Sequence, residues 1–228
     1  MSALSIIIPC LNAAGTLGPV LDAVADPGQA PPDVEVIIVD GGSDDGTTGI
    51  AEGRGALVVH GARGRGIQLR TGVAAAAAPW LLLLHADTRL DPGWRGVVTG
   101  FMADPANRQR AAAFRLRLDS PHPSARRVER LVAWRARRLG LPWGDQGLLI
   151  HRDMLAGLGG VPDQPLMEDV ALVRKIGRKR LVLLDVGAMT SSARYERDGW
   201  LRRPLRNQLL LLLYFAGVSP RVLARLYG

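Results

Sequence analysis

The sequence predicts an α/β protein in which a mostly parallel central sheet carries helices on both faces. Two observations predict this class. In the first part of the chain, short apolar runs alternate with stretches of helical periodicity, the pattern of a sheet built from strand–helix–strand units. The centres of the runs, at residues 6–8, 36–39 and 81–84, contain no polar residue, as in strands whose two faces are both covered. A hydrophobic content of 47% in 228 residues is ample for the core of such a domain.

The first part of the chain contains the strongest strand predictions. Residues 81–84 are four consecutive leucines, and this short length favours a strand over a buried helix. The predicted strands span residues 4–9, 34–39, 56–60 and 81–84. Two predicted helices span residues 16–24 and residues 44 or 45 to 52. A third follows the glycine loop 61–66 and runs through the alanines 74–78, and a loop is predicted at residues 27–33.

The second part changes character. Residues 111–118 alternate apolar and basic residues as a half-exposed strand does, and Pro123–Leu139 is predicted to be a basic helix. Further strands are predicted at 148–150 and 181–186. Further helices are predicted at 92–102, in a short segment that ends at Gly159-Gly160, from the segment 166–169 through residue 175, at 199–216 and at 219–227. No repeat or linker divides the chain. We expect one domain over residues 1–228, with a nucleotide-binding half at 1–90 and an acceptor and catalytic half at 91–228.

Arginine carries nearly all of the positive charge. The formal net charge is +8, and Lys175 and Lys179 are the only lysines. Because the planar guanidinium suits phosphate and carboxylate, the excess fits nucleic acid, anionic lipid or a phosphorylated substrate, although a coding bias toward arginine gives the same composition without any function. The single cysteine, Cys10, excludes an internal disulfide and fits a reducing cytoplasm. No stretch reaches the length of a membrane span, and the first strand lacks the features of a signal peptide.

Carboxylates follow two of the buried strands. Asp40 follows the run 34–39, and Asp87 follows the leucine strand. Since ligands of open parallel sheets bind at the carboxyl ends of the strands, both side chains are expected at one edge, within reach of one ligand. The structural alternative for each is an Asp that caps a turn or a helix. Glu168 and Asp169 open a predicted helix, where carboxylates commonly interact favourably with the helix dipole, by ~0.3–1 kcal/mol. As a functional pair, one carboxylate would abstract a proton while the other orients the first carboxylate.

The loop at 61–66 has the spacing Gly-x-x-Gly-x-Gly after the third predicted strand. The dinucleotide fingerprint has another spacing and follows a first strand, so this cluster is weak support for that function. Arg63 and Arg65 in the loop are suited to pair with a diphosphate, with a solvated basic loop as the alternative. The sequence lacks Gly-x-Ser-x-Gly, His-Glu-x-x-His and the P-loop motif, which argues against serine hydrolases, zincins and P-loop enzymes.

Taken in order, five segments resemble family 2 glycosyltransferases of the GT-A fold. Each motif is modest alone, but their order and spacing together are specific and cover nearly the whole chain. The compact length, the His-Ala-Asp-Thr form and the segment 207–227 are most similar to a bacterial subfamily of small enzymes associated with arsenosugar biosynthesis. The segments are Ser5-Ile6-Ile7-Ile8-Pro9-Cys10-Leu11-Asn12, Val39-Asp40-Gly41-Gly42-Ser43-Asp44-Asp45-Gly46-Thr47, Leu84-His85-Ala86-Asp87, Gly144-Asp145-Gln146-Gly147 and Met167-Glu168-Asp169-Val170.

The resemblance implies transfer of a sugar, with inversion, from a nucleotide-diphosphate donor (a UDP-sugar is favoured) to a hydroxyl acceptor that is a small molecule or lipid-linked. It implies that Asp40 bonds the uracil, that Asp87 holds Mg²⁺ or Mn²⁺ against the diphosphate, and that Asp169, supported by Glu168, deprotonates the acceptor. The implied donor site comprises Pro9, Leu11, Asn12, Asp40, Gly42, Arg63, Arg65, Gln68, Ala86 and Asp87, and the implied acceptor site comprises Trp143, Asp145 and Gln146.

General chemistry agrees with these roles, and two positions depart from the family pattern. Loss of a nucleoside diphosphate requires charge neutralisation by a hard cation and arginines, and the acceptor requires a carboxylate base. His85 stands where the family has the first carboxylate of Asp-x-Asp, and Gln68-Leu69-Arg70 stands where relatives commonly carry Asn after the Gln. With one carboxylate missing, the diphosphate and water would have to complete the coordination of the metal.

Two other functions stay open at the level of sequence. A sugar nucleotidyltransferase would need a glycine-rich, lysine-bearing loop after the first strand, and residues 12–15 are not such a loop. A basic RNA-binding or membrane-surface protein is favoured by the arginine helix Pro123–Leu139, but 5% aromatic residues and no recognised motif argue against nucleic acid. The apolar run 209–215 beside arginines fits either a helix on a membrane or core packing, and core packing is favoured. We expect a cytoplasmic protein, with peripheral contact at the inner face of the membrane as an alternative.

Overall fold

The computed structural model describes residues 2–25 and 34–227, so the loop predicted at 27–33 lies outside the described residues. The strands are β1 (Leu4–Cys10), β2 (Val34–Asp40), β3 (Leu57–His60), β4 (Trp80–Leu83), β5 (Thr88–Leu90), β6 (Ala111–Leu118), β7 (Leu148–His151) and β8 (Leu181–Thr190). The helices are α1 (Ala14–Ala25), α2 (Thr47–Glu52), α3 (Arg65–Ala75), α4 (Trp94–Ala103), α5 (Pro123–Leu139), α6 (Arg152–Gly157), α7 (Glu168–Ile176), α8 (Ala193–Asp198), α9 (Arg202–Phe215) and α10 (Pro220–Tyr227).

The strands form one sheet in the order β3-β2-β1-β4-β7-β6-β8-β5. The first four are mutually parallel, β7 is antiparallel to both of its neighbours, β6 and β8 are parallel, and β5 closes the far edge antiparallel to β8. The predicted fold class, a mostly parallel sheet in an α/β protein, is therefore confirmed.

Helices cover both faces of the sheet, which follows from the alternation of side chains along β1. Ile6 and Ile8 belong to a core cluster with residues of α1 and α4, while Ile7 belongs to a second cluster with residues of α3, α6 and α7. The contact of α3 with β1 is especially close. A Cβ atom at Gly72 would lie 2.3 Å from Cγ2 of Ile7, so only glycine permits this approach.

Two helix boundaries in the first half differ from prediction, each beside a hydrogen bond from the backbone to a carboxylate. The second helix starts at Thr47 because Oδ1 of Asp45 accepts a 3.1 Å bond from the Thr47 N–H, which leaves Asp45 outside the helix. The third helix ends at Ala75 instead of continuing through the alanine run. Beyond it, the N–H groups of Ala77 and Ala78 donate to Glu35, at 2.6 and 3.1 Å.

The second half departs further from the predicted pattern. The strand β5 and the helix α8 are absent from the prediction, and β8 continues to Thr190. The alternation predicted for β6 begins only at Arg115, because residues 111–114 are covered on both faces by the two core clusters. In α9, Leu210 and Leu211 are buried as expected for core, whereas Leu209 and Leu212 are exposed. Within the described residues, no helix combines the length and apolar character that crossing a bilayer requires.

The parallel half of the sheet positions the candidate site. Cys10 at the end of β1 pairs with Asp40 at the end of β2, and Ile7 of β1 pairs with Leu83 at the end of β4. The carboxyl ends of three neighbouring strands therefore meet at one edge, where the following loops can share one cavity.

Candidate active site

A cavity of about 710 Å³ opens at this edge of the sheet. Its volume falls in the range of small-molecule and cofactor sites. Of the residues expected at the site from sequence, the cavity is lined by Pro9, Leu11, Asn12, Arg63, Arg65, Gln68, Ala86, Asp87, Trp143, Asp145 and Asp169. Those outside the lining are Asp40, Gly42, Gln146 and Glu168.

Asp40 lies beneath the cavity wall and caps its own turn. Its buried carboxylate accepts bonds from the N–H groups of Gly42, at 3.0 Å, and Ser43, at 3.1 Å. Burial alone would raise the pKa of Asp40, but these bonds, with those of Ser43 the largest, hold it below its usual value. Gly42 has φ +93°, a left-handed conformation that favours glycine in this turn. The structural alternative for Asp40 is therefore realised, and contact with a base stays a prediction.

Asn12 ties the loop after β1 to the loop after β2. Its N–H donates to Oγ of Ser43 at 2.9 Å, and its Oδ1 accepts from the Asp44 N–H at 3.1 Å. Asn12 has φ +49°, which few residues other than glycine adopt as readily as Asn. These bonds fix the two loops as one rigid wall of the cavity.

Gln68 on α3 braces the ends of the first two strands. Its Nε2 donates to the carbonyl oxygens of Cys10, at 2.7 Å, and Val39, at 2.8 Å. A Cβ atom at Gly41 would lie 3.0 Å from the same nitrogen, so the turn after β2 packs directly on this amide. The buried amide therefore sets the floor beside Pro9 and leaves little of Gln68 for a ligand.

Arg65 connects the two halves of the site. Its Nε lies 2.9 Å from Oε1 of Glu168, and its Nη1 lies 3.1 Å from Nε2 of His85. Burial, reinforced by the positive charges of Arg65 and Arg194, holds the pKa of His85 well below its usual value, so this imidazole is neutral. Because an arginine can only donate, Nε2 of His85 accepts and its proton resides on Nδ1.

Glu168 and Asp169 point in different directions, as consecutive residues of a helix must. Asp169 lines the cavity, and its Oδ2 accepts a 2.7 Å bond from the Gly144 N–H. Glu168 is buried against Arg65, and burial raises its pKa to about 7 despite the opposing charge of that arginine, with Asp169 adding to the rise. Met167, just before the pair, has φ +65°, a strained conformation for this residue type. The backbone thus turns Asp169 toward the cavity and Glu168 toward Arg65.

Asp87 is suited to one position in the coordination sphere of a hard cation. It lines the cavity, but the described residues contain no group of three His, Cys, Asp or Glu side chains that could hold a metal ion. The neighbouring His85 is engaged through Nε2 with Arg65. The donor set of this chain fits a divalent cation only if phosphate oxygens and water provide most of its ligands.

Unpartnered polar atoms cluster beside the cavity at Trp143 and Asp145. The guanidinium of Arg135 lies 3.6 Å from the centre of the Trp143 ring and donates through Nε to the carbonyl oxygen of Leu141. Among the described residues, Nη2 of Arg135, Nε1 of Trp143 and Oδ1 of Asp145 are buried without a hydrogen-bond partner. Burial raises the pKa of Asp145 to about 6 and lowers that of Arg135 to about 10. Since a buried unpaired polar group costs about 1–3 kcal/mol, this corner is suited to a polar ligand.

Gln146 lies outside the cavity, contrary to its expected place in an acceptor site. Its Nε2 donates to the carbonyl oxygen of Phe114 at 2.9 Å, and its Oε1 accepts from the Trp143 N–H at 3.2 Å. The side chain is fully buried. Gln146 therefore holds the loop that carries Trp143 and Asp145, and a direct contact with the acceptor has no support from its position.

Eight cavity residues that follow β8 escaped the sequence analysis, among them Arg194, Tyr195, Arg203 and Tyr227. Arg203 is fixed by Asp198, at 2.6 Å, and by the hydroxyl of Tyr227, at 3.0 Å. No ion pair of Arg194 is found within the described part of the chain. For the two arginines the only sequence signal was the excess of arginine, and the helix α8 that carries Arg194 and Tyr195 was itself not predicted.

The parallel strand ends, the acid at Asp87 and the acidic pair at the start of α7 together define a domain of the GT-A class. The sequence profile described as Glycosyl transferase family 2 matches residues 5–140, more than half of the chain. The chain therefore belongs to glycosyl transferase family 2. This confirms the family resemblance, while the narrower similarity to the arsenosugar-associated subfamily stays a prediction.

Curated relatives match a shorter part of the chain. A PGL/p-HBAD biosynthesis glycosyltransferase of Mycobacterium bovis is 41% identical over an alignment of 94 residues, and the match covers 38% of this chain and 36% of that protein. An uncharacterized glycosyltransferase of the same organism is 35% identical over 92 residues, 40% of this chain and 39% of that protein. The matched part is thus well under half the length of these relatives.

Solved structures share the fold at low sequence identity. A mannosyltransferase of Pyrobaculum calidifontis in complex with GDP-Man and Mn²⁺ has a TM-score of 0.64 at 21% identity, covering 82% of this chain and 56% of that one. Glucosyl-3-phosphoglycerate synthase of Mycobacterium tuberculosis, in complex with Mn²⁺, UDP and glucosyl-3-phosphoglycerate, has a TM-score of 0.60 at 21% identity, covering 83% and 70%. These likenesses show the GT-A fold.

Proposed function

We propose that this protein transfers a sugar from a nucleoside-diphosphate donor to a hydroxyl group, with Asp169 as the base. One observation carries the assignment: of two adjacent acids, Asp169 lines the cavity while Glu168 is buried on Arg65. The carboxylate of Asp169 is also oriented by two backbone N–H groups, that of Gly144 on Oδ2 and that of Val170 on Oδ1, while it lines the cavity. Family membership favours glycosyl transfer over the nucleotidyltransferase and RNA-binding alternatives.

The donor end of the cavity lies between the end of β1 and the loop before α3. Pro9, Leu11 and Asn12 provide a wall for base and ribose, and the turn of Asp40 lies directly beneath. We favour a UDP-sugar because the family resemblance assigns uracil to Asp40, and because UDP accompanies the related synthase fold. The GDP-Man complex of the mannosyltransferase is the reason to test guanine nucleotides as well.

Cationic groups of this chain offset the charge of the leaving diphosphate. Arg63 and Arg194 both line the cavity, and Arg194 is close enough to His85 to lower its pKa. Bound Mg²⁺ or Mn²⁺, held through Asp87, would add Lewis-acid stabilisation of the departing phosphate oxygen. The two arginines act on the same developing charge whether or not that ion is present.

The reaction follows from the position of Asp169. The acceptor oxygen attacks the anomeric carbon while its proton passes to Asp169, and the bond from that carbon to the diphosphate oxygen breaks with its electron pair leaving on the nucleotide. A single displacement of this kind inverts the anomeric configuration. Trp143 and Asp145 line the acceptor end, where a hydroxyl of a small-molecule or lipid-linked acceptor would bind beside the buried Asp145 Oδ1, which lacks a hydrogen-bond partner.

A donor and acceptor screen tests this function. Purified protein is incubated with UDP- and GDP-sugars, Mn²⁺ and a panel of alcohols, and release of nucleoside diphosphate is followed beside the anomeric configuration of the product. We expect acceptor-dependent release that Asp169→Asn suppresses. Release without an acceptor requirement, or a retained configuration, would contradict the proposal. We place the enzyme in the cytoplasm, in keeping with the unpaired, buried Cys10.

A further inference from the structure

The helix α9 has two opposite faces with different surroundings. At 100° per residue, Arg203, Asn207 and Leu210 lie on one side of the helix, and all three line the cavity. Leu205, Leu209 and Leu212 lie on the opposite side, where they are 60%, 56% and 64% exposed, against 4% for Leu210. We call these three residues the leucine face.

The leucine face is unusual because core packing does not explain it. The buried cluster of this region holds Leu210 and Leu223 against Leu166, just before the acidic pair, and is complete without the leucine face. Val222 and Leu226 on α10 are also strongly exposed. Large exposed apolar residues that cluster on one surface mark an interaction site more often than isolated ones do.

The charge around the leucine face indicates what covers it. Residues 199–227 contain five arginines and no Asp or Glu side chain. Arg202, Arg206, Arg221 and Arg225 are exposed, while Arg203 is buried and paired with Asp198. A row of leucines beside arginines is the composition of a helix that lies in the interface of a membrane. Each arginine near an anionic surface contributes about 1 kcal/mol of attraction.

We propose that the leucine face docks the protein on an anionic lipid surface, with α9 parallel to the membrane. The 14 residues of α9 extend about 21 Å, shorter than the ~30 Å bilayer core, so the helix lies on the surface and does not cross it. A second copy of this chain would fit less well, because a two-fold contact would bring the same positive surface against itself. In the docked arrangement the cavity face of α9 is untouched by lipid.

Vesicle co-sedimentation of the full chain tests the docking. Vesicles of equal parts phosphatidylcholine and phosphatidylglycerol are compared with phosphatidylcholine alone, at about 0.05 M and about 0.5 M salt. We expect binding to the anionic vesicles that weakens at high salt. The double variant Leu205→Gln/Leu209→Gln should lower the partition coefficient by about tenfold or more. Arg202→Gln should lower it about fivefold.

A matched control is available on the edge strand β3. Leu57 is 51% exposed, similar to the leucine face, so Leu57→Gln should leave vesicle binding unchanged. Thermal melting of each variant checks the fold, and Leu212→Gln serves as a second probe if the double variant melts early. Absence of binding to anionic vesicles, or an equal loss with Leu57→Gln, would overturn the proposal. So would sedimentation of the native chain as a dimer that the double variant converts to monomer, because a second copy would then cover the face.

Discussion

Oδ2 of Asp169 accepts a 2.7 Å hydrogen bond from the backbone N–H of Gly144. The two residues come from distant parts of the chain, and the contact leaves no room for a larger residue. A Cβ atom at position 144 would lie 2.5 Å from Nε2 of His85 and 3.3 Å from the same carboxylate oxygen. This contact links the candidate base, the neutral imidazole and the acceptor loop, and it underlies the first two predictions.

Asp169→Asn should lower kcat by about 10²–10⁴ while the affinity for UDP stays unchanged. The amide oxygen of Asn can still accept the Gly144 bond, so the loop keeps its place while the base is lost. The measurement is kcat for sugar transfer beside the UDP dissociation constant, with Glu168→Gln in parallel. If only Glu168→Gln abolishes turnover, the two roles are reversed; if neither variant does, Asp145 is the next candidate base.

Gly144→Ala should reduce turnover by at least tenfold, because the new methyl group must displace His85 or the loop that orients Asp169. The matched control is Gly49→Ala on α2, where an added Cβ meets nothing within 4 Å. That control should leave activity unchanged and raise stability by about 0.4–1 kcal/mol. Full activity of Gly144→Ala would show that the contact does not position the base.

Asp40→Ala should weaken UDP binding by about 1–3 kcal/mol, through the lost base contact and the loosened turn. Calorimetric titration with UDP measures the first effect, and thermal melting measures the second. Asp44→Ala, in the same loop with an exposed side chain, is the control. An unchanged dissociation constant in a folded Asp40→Ala protein would remove Asp40 from the donor site.

Mn²⁺ should tighten UDP binding in the native protein, and Asp87→Ala should abolish that gain while retaining metal-free binding. The reason is that Asp87 offers one carboxylate, whereas Arg63 and Arg194 act on the diphosphate without a metal. Titrations with Mn²⁺ and with EDTA are compared for both proteins. Equal affinity under the two conditions in the native protein would contradict the metal assignment and leave charge neutralisation to the arginines.

Glu168 should make stability fall as pH rises from about 5 to 7. Its folded-state pKa of about 7 exceeds its usual value of 4.5, so the native state binds the proton more tightly than the unfolded state, and that advantage is lost as the pH rises through the folded pKa. Glu168→Gln should remove this part of the pH dependence. Denaturant unfolding at several pH values measures it, and parallel curves for both proteins would show that Glu168 is already ionised at pH 5.

The sequence by itself determined the parallel half of the fold. Short, mostly apolar runs identified β1, β2 and β4, since strands covered on both faces have few polar positions. Because parallel strands end at a common edge, the runs alone predicted Asp40 and Asp87 at one edge. Asp87 lines the cavity and Asp40 lies outside its lining, while Pro9 and Asn12 were expected there from the family resemblance. The acidic pair that opens α7 was also found from the residues, and the family resemblance assigned the base to Asp169. The family profile, which matches residues 5–140, confirmed the family.

Only the tertiary structure determined in which direction the side chains point and which residues after β8 line the cavity. The sequence could not show that Arg65 binds Glu168 and His85, because both partners lie far along the chain. Apart from the family resemblance, the residues could not separate Asp169 from Glu168, because the fold decides which of the two faces the cavity. Arg194 came from a helix too short to show a periodic pattern, which only packing stabilises. Five consecutive residues of α9, Leu209–Leu213, are leucines, so their chemistry does not distinguish them. Packing against neighbouring elements buries Leu210 and leaves Leu209 exposed.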